Sequence, residues 1–297
     1  MKQLQISLAT DRLTLNPLEV SDSKFILELV NTEGWLKFIG DRNVHSIEDA
    51  AGYTQRIISN PDILYWVVRP KHQNDSIGII TLIKRKELTW PDIGFAFLPA
   101  VAKNGYAFEA SDAVLQHVLT TGDIAFLNAI TNKENEVSVH LLKRLGFEFI
   151  EEKTTPTGID QIYGAGADKI LISLLVQSFF SVFTNTHGRP RLYALNEMCL
   201  QEALIISKQS AGTDIMTLST FVAPREKLLT DGTLLDFEEK EISGDTKIVG
   251  DIAQHYSRYK KKGVLNGDPF ETHGHKFFQL IKLDKTWKIG AVVWSDE

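Results

Sequence analysis

The stretch PDIGFAFLPAVAKNGYAFEA, from Pro91 to Ala110, decides how this chain is read. Its first half is an apolar strand that stops at Pro99, a residue with no N–H to pair. A loop carrying Gly105 follows, then a helix that continues as SDAVLQHVL, with Ala110, Ala113, Val114 and Val118 at helical spacing. A strand that feeds a helix through a glycine-bearing loop makes an anion site. The first N–H groups of the helix have no intrahelical partner, and its dipole favours negative charge. A diphosphate needs that chemistry. An ordinary strand-to-helix corner, whose glycine only relieves backbone strain, carries the same signature.

Working outward, the flanking segments alternate strand and helix signals. RLTLNPL (12–18) places Leu13 and Leu15 on one side of a strand. VSDSKFILELV follows, with Ser21 or Asp22 as helix cap, and SIEDAAGYTQRIIS (46–59) opens with a capping pattern. ILYWVVR and IGIITLIKR are strongly β-forming, and QNDS between them supplies turn residues. FLNAIT reads as a strand. ENEVSVHLLKRL reads as a helix stopped by Gly146, and FEFIEE and KILISL read as closing strands. Thr154–Asp168 is a hairpin loop or a flexible segment.

Past residue 175 the pattern changes. Val176–Thr184 and Pro190–Lys208 read as helices around the turn NTHGRP. Strand-like runs follow, DIMTLSTFVA, LLDFEEKEIS, KIVGDIAQHYSRYKK, KFFQLIKL and WKIGAVVWS, with turn chemistry at Asp231–Gly232, Ser243–Asp245, Asn266–Asp268 and Asp284–Lys285. The expected organisation is therefore α+β, in two domains, 1–175 and 176–297.

A chain of 297 residues with 43% hydrophobic and 24% charged residues can bury a core in each half. The formal net charge of −6 argues against a general nucleic-acid binder. The single cysteine, Cys199, cannot form an intrachain disulfide and reads as a small buried group among helix-like residues. The N-terminus lacks a signal-peptide pattern, and no apolar run approaches the ~20 residues of a membrane span, so a cytoplasmic protein without membrane contact is expected.

Four segments in order, TDRLTLNPL, SIGIITL with DIGFAFLP, NGYAFEA, and NKENEVSVHLLKRLGF, resemble the GNAT acetyltransferase superfamily over about residues 7–175. More narrowly, they look like the branch typified by the ribosomal-protein alanine N-acetyltransferases (RimJ/RimL-like). The resemblance implies a mixed, mostly antiparallel sheet with flanking helices, acetyl-CoA as cosubstrate, and direct transfer of the acetyl group to an amine. The acceptor is then an amine-bearing small molecule or a protein N-terminus. The family's diphosphate loop falls on Ala102–Ala107. Lys103, Asn104, Gly105, Tyr106 and Ala107 are the implied contacts, while Ala102 and Lys103 depart from the usual long polar residue and glycine. Phe97 and Leu98 would offer backbone contacts. Asn135 and Ser138 would meet the coenzyme, although Asn135 also suits a helix N-cap. Asp92 is the candidate base, since an alkylammonium must lose a proton before it attacks; after Pro91 it also suits a turn. Glu109, in the first helical turn, reads as structural.

Residues 176–297 resemble the nuclear-transport-factor-2-like (SnoaL-like) cone in their helix–helix–meander order. On one continuous strand, Val249, Asp251, Ala253, His255, Ser257 and Tyr259 would share a face, so Asp251 and His255 become a candidate acid/base pair in a pocket. Such cones pair through the sheet face, which implies a homodimer. His273 and His275 have no third ligand in view, so no metal site is expected. A catalytically degenerate GNAT fold, acting with the cone as a small-molecule-binding or dimerisation module, is the alternative.

Overall fold

The computed structural model describes every residue except Asn74, Pro156, Thr157, His187, Ser210 and Ala211. Parts of the expected turns QNDS and NTHGRP, and the tip of the loop within Thr154–Asp168, lie outside the described residues. The chain divides into two compact units, Met1–Ile170 and Leu171–Glu297.

The first unit contains β1 (Leu8–Ala9), β2 (Leu13–Pro17), α1 (Ser23–Val30), α2 (Glu33–Phe38), α3 (Ile47–Ser59), β3 (Ile63–Pro70), β4 (Gly78–Ile83), β5 (Asp92–Phe97), α4 (Tyr106–Thr121), β6 (Phe126–Asn132), α5 (Glu136–Arg144), β7 (Glu148–Thr155) and β8 (Gly158–Gly166). One sheet runs β1-β2-β3-β4-β5-β6-β8-β7, antiparallel throughout except where β5 meets β6. Helix α3 starts on a capping box, Ser46 with Asp49, as its sequence predicts. β3 and β4 are apolar on both faces because both are covered. Tyr65, Val67 and Ile79 pack with Phe25, Ile26, Leu29 and Ile57 of α1 and α3. Side chains alternate along a strand, so Leu64, Trp66 and Ile80 point the other way and are equally buried. Helix α4 packs on that sheet through β2, β4 and β5, burying Ala110, Val114, Leu115 and Val118.

Thr154–Asp168 is mostly sheet. β7 and β8 form a hairpin there, with Thr155 opposite Gly158. KILISL is helical: α6 runs Ala167–Ser181, and the division between units falls inside it.

The second unit continues with α7 (Leu195–Met198), β9 (Cys199–Gln209), β10 (Gly212–Thr217), α8 (Leu218–Thr230), β11 (Leu234–Val249), β12 (Ile252–Leu265), β13 (Asp268–Leu283) and β14 (Thr286–Asp296). Its sheet is ordered β10-β9-β14-β13-β12-β11, and only β14 and β9 run parallel. The helix expected over Pro190–Lys208 is short; from Cys199 the chain is strand, so Cys199 is buried at a strand end. DIMTLSTFVA splits at Thr217, whose hydroxyl caps α8. Ser243–Asp245 is a bulged part of β11 rather than a turn. Aromatic rings fill the inner side, with Phe179 of α6 edge-on to Phe278 at 5.1 Å and Phe183 edge-on to Phe221 of α8 at 5.8 Å. Trp287 and Trp294 both lie on β14. Trp287 is buried, and Trp294 meets Phe221 at 5.9 Å.

Candidate active site

The loop after β5 is built from local hydrogen bonds. Pro99–Val101 forms a short 3-10 turn, closed by the Ala102 N–H donating to the Pro99 carbonyl at 3.1 Å. The Asn104 side chain staples the loop to itself, donating to the carbonyls of Val101 (3.2 Å) and Ala102 (3.5 Å). Lys103 and Gly105 both hold left-handed backbone, φ +66° and +76°. The glycine takes that conformation freely, while Lys103 bears a cost of roughly 1–2 kcal/mol. The first bond of α4 is Glu109 N–H to Gly105 carbonyl at 3.1 Å. The N–H groups of Gly105, Tyr106, Ala107 and Phe108 therefore precede the helical ladder and end at one surface.

Beside this loop the sheet opens. β5 pairs with β4 over its full length, from Asp92 opposite Ile83 to Phe97 opposite Gly78. Against β6 it pairs only at Asp92, opposite Asn128, and then diverges. The Leu98 N–H donates to Ile77 of the β4 side at 2.9 Å, and the Leu98 carbonyl accepts from Val101 at 3.2 Å. Leu98 thus has both backbone groups committed, contrary to the expectation that it serves the cleft. Antiparallel pairing alternates, so Phe97 and Phe95 turn their N–H and carbonyl groups toward the opening, while Ile93, on the same side, lies at the bridge to β6. The Phe97 backbone lies on that side. Phe95 belongs beside it, and it is found only once the register with β4 is known.

Asp92 begins β5 at the point where the two strands part, and it is 3% exposed. Arg85 meets it with Nε–H at 2.6 Å and Nη2 at 3.3 Å. Burial pushes the Asp92 carboxyl above its ordinary range, against the pull of the guanidinium. Asn128 donates its side-chain amide to the Trp90 carbonyl at 3.1 Å, fixing the strand entry. The sequence places Arg85 at the end of the run IGIITLIKR, but β4 ends at Ile83 and Arg85 lies beyond it, so its pairing with Asp92 has no local signal.

Asn135 is the N-cap of α5; its side-chain oxygen accepts from the Ser138 N–H at 3.2 Å, and Ser138 is buried. The cap commits the oxygen and leaves the amide NH2 as a donor. Glu109 is structural, as its position suggests. It receives the Arg12 Nε–H at 2.6 Å and the Arg12 main-chain N–H at 3.1 Å, and the Thr10 hydroxyl also donates to it. Arg12 lies across the Tyr106 ring, 4.7 Å from its centroid.

In the second unit, Asp251 and His255 are apart. β11 and β12 form a hairpin turned at Gly250–Asp251, with Gly250 at φ +59°. Asp251 sits exposed at that tip, where its carbonyl accepts from Lys282 N–H at 2.8 Å. His255 faces inward at 4% exposure. Its ring bridges Glu241 (3.0 Å) and Thr246 (2.7 Å), and Gln177 of α6 donates to the same glutamate at 2.8 Å. A second buried pair, Lys276 with Glu239, lies under Tyr259, with the Lys276 ammonium 3.6 Å from the ring centroid. Burial holds the Lys276 ammonium below its ordinary range. His273 and His275 are strand residues of β13, and among the described residues no group of side chains is arranged to hold a metal ion.

Residues 12–148 match the family model of the acetyltransferase (GNAT) domain. An uncharacterized N-acetyltransferase, YoaA of Bacillus subtilis, is 24% identical over 147 residues, 48% of this chain and 82% of that protein. A GCN5-related N-acetyltransferase from Brucella melitensis superposes with a TM-score of 0.51 at 14% identity, over 59% of this chain and 85% of its own. A ribosomal L7/L12 alpha-N-protein acetyltransferase, solved in complex with coenzyme A, superposes with a TM-score of 0.50 at 16% identity, over 55% of this chain and 99% of its own. These structures share the fold of the first unit.

Proposed function

We propose that the first unit, a GNAT acetyltransferase domain, moves an acetyl group from acetyl-CoA to an amine by direct attack. The observation that carries this reading is the coincidence of two features: β5 and β6 part after Asp92, and β5 ends at a helix N-terminus with unladdered amides. Gly105–Phe108 suit the diphosphate, with Lys103 and Asn104 at the rim. Phe97 and Phe95 suit the amide-bearing arm, and Asn135 with Ser138 lines the α5 side. At a strand rise of about 3.3 Å per residue, Phe97 to Asp92 spans roughly 17 Å, so the acyl end falls near Asp92. There the carboxylate takes a proton from the ammonium, and the free amine attacks the thioester carbonyl. The resulting oxyanion collapses, breaking the C–S bond, and the thiolate leaves and takes up a proton. The protein's contribution is orientation, a base held ready and backbone donors for the oxyanion.

The acceptor class is an amine on a small molecule or a protein N-terminus; the excess of acidic residues suits a cationic one. Coenzyme release measured against a panel of amines tests this. A second reading is favoured by the Arg85–Asp92 pair, which neutralises the proposed base, and by Ala102 and Lys103 in the loop: the fold binds coenzyme without turning it over. Binding without turnover across the panel would select it.

For the second unit, the inferred fold is a nuclear-transport-factor-2-like cone acting as a dimerisation or small-molecule module. Its outer sheet face supports self-association. Tyr256, Phe277, Val293, Ile206 and Ile215 line up across β12, β13, β14, β9 and β10 in one continuous row. Ile215 is 70% exposed and Phe277 42%.

A further inference from the structure

We propose that Arg12 is a positioning residue for the anion-binding loop, acting through the carbonyl of Asn104; this rests on the acetyl-CoA reading of the same site. In a trans peptide the carbonyl of one residue and the N–H of the next point in opposite directions. The Arg12 guanidinium donates from Nη1 to the Asn104 carbonyl at 3.0 Å. The Gly105 N–H is thereby turned away from Arg12, and in the proposal it joins the first amides of α4 at the diphosphate.

Glycine makes this control necessary. Gly105 sits at φ +76°, and with no Cβ it has other backbone basins open to it. A flipped 104–105 peptide would present a carbonyl oxygen to a diphosphate in place of a donor. Arg12 holds the peptide because Arg12 is itself fixed. Its Nε–H goes to Glu109 Oε2 at 2.6 Å, its Nη2 lies 2.5 Å from the same oxygen, and its face lies over Tyr106. One planar fork thus ties the loop carbonyl to the first turn of α4. A lysine, with a point charge on a flexible stem, cannot span both acceptors in fixed geometry. The clamp also suits a loop whose first position is Ala102, which offers no side-chain donor.

The test compares coenzyme A with pantetheine, which lacks the phosphates, in titration calorimetry of wild type, Arg12→Lys and Arg12→Gln. The expected result for Arg12→Gln is a loss of about tenfold in coenzyme A affinity, the scale of one well-placed charge-assisted hydrogen bond, with pantetheine affinity nearly unchanged. Arg12→Lys should fall between. An unchanged ratio of the two affinities in Arg12→Gln overturns the proposal, whether both stay constant or both fall together. If Arg12→Gln does not fold, Arg12→Lys carries the same comparison. Wild-type protein that binds no coenzyme A removes the acetyl-CoA reading itself, and the positioning role with it.

Discussion

The ring of Phe97 lies on Gly78: a Cβ built on Gly78 would stand 2.3 Å from Phe97 Cδ1 and 2.6 Å from Cγ. The glycine is thus the seat of the side chain whose own backbone faces the opening between β5 and β6. Gly78→Ala should displace Phe97 and destabilise the first unit by about 1–3 kcal/mol, the usual cost of overfilling a packed contact. Urea unfolding measures the loss, and coenzyme A affinity should fall with it. A stable variant with unaltered affinity would mean that the end of β5 does not shape the site.

Asp92 is held above the ordinary carboxylate range by burial and is drawn down by Arg85. If it is the base, turnover rises with pH as Asp92 ionises, through a midpoint higher than that of a free aspartate. Arg85→Gln removes the charge that favours ionisation, so this acidic limb should move to higher pH. Asp92→Asn should lower kcat by about 10²–10⁴-fold while leaving coenzyme A affinity intact. Full activity in Asp92→Asn would assign the proton to another group.

Asp112 on α4 is pushed up to about 7 by burial, and its Oδ1 has no hydrogen-bond partner. Because the folded-state value is raised, its contribution to stability is complete below the unfolded value near 4 and is lost as pH rises through about 7. Asp112→Asn should leave the melting temperature unchanged near pH 4 and raise it at pH 8. Equal effects at both values would place the charge in water.

Lys276 and Glu239 are buried together in the second unit. Removing one partner strands a charge, so Lys276→Met should cost about 3–5 kcal/mol. The double variant Lys276→Met, Glu239→Leu should recover most of it. Additive losses in this cycle would show that the two groups act independently.

The outer row on the second sheet gives a test of assembly. If two copies associate through it, Phe277→Glu should shift light-scattering mass from dimer to monomer without lowering the melting temperature of the dissociated chain. A monomeric wild type contradicts the proposed association.

Much of the first unit is legible in the sequence because its strongest signals are local. Ser46 and Asp49 form their box within one turn, and the apolar runs of β3 and β4 need no partner to identify them. α6 gives no period, because Lys169–Phe183 is apolar nearly all round and β-rich in composition. The β11–β12 turn is hidden for another reason. Ile248 and Val249 before Gly250 and Asp251, and Ile252 and Ala253 after them, make one short apolar stretch across the turn, so two strands read as one and Asp251 seems to share a face with His255. Arg12 and Glu109 meet across 97 residues of chain, and Arg85 meets Asp92 only after β4 and β5 pair; neither contact leaves a local trace. Phe95 and Leu98 differ only in strand register, which Ile77 decides.

If the unladdered amides at Gly105–Phe108 grip the diphosphate of acetyl-CoA, isothermal titration of the full chain with acetyl-CoA should show saturable micromolar binding. That binding should be lost in Gly105→Glu while the variant still folds. No heat of binding at millimolar ligand, or undiminished affinity in Gly105→Glu, would rule out a diphosphate held at this helix start.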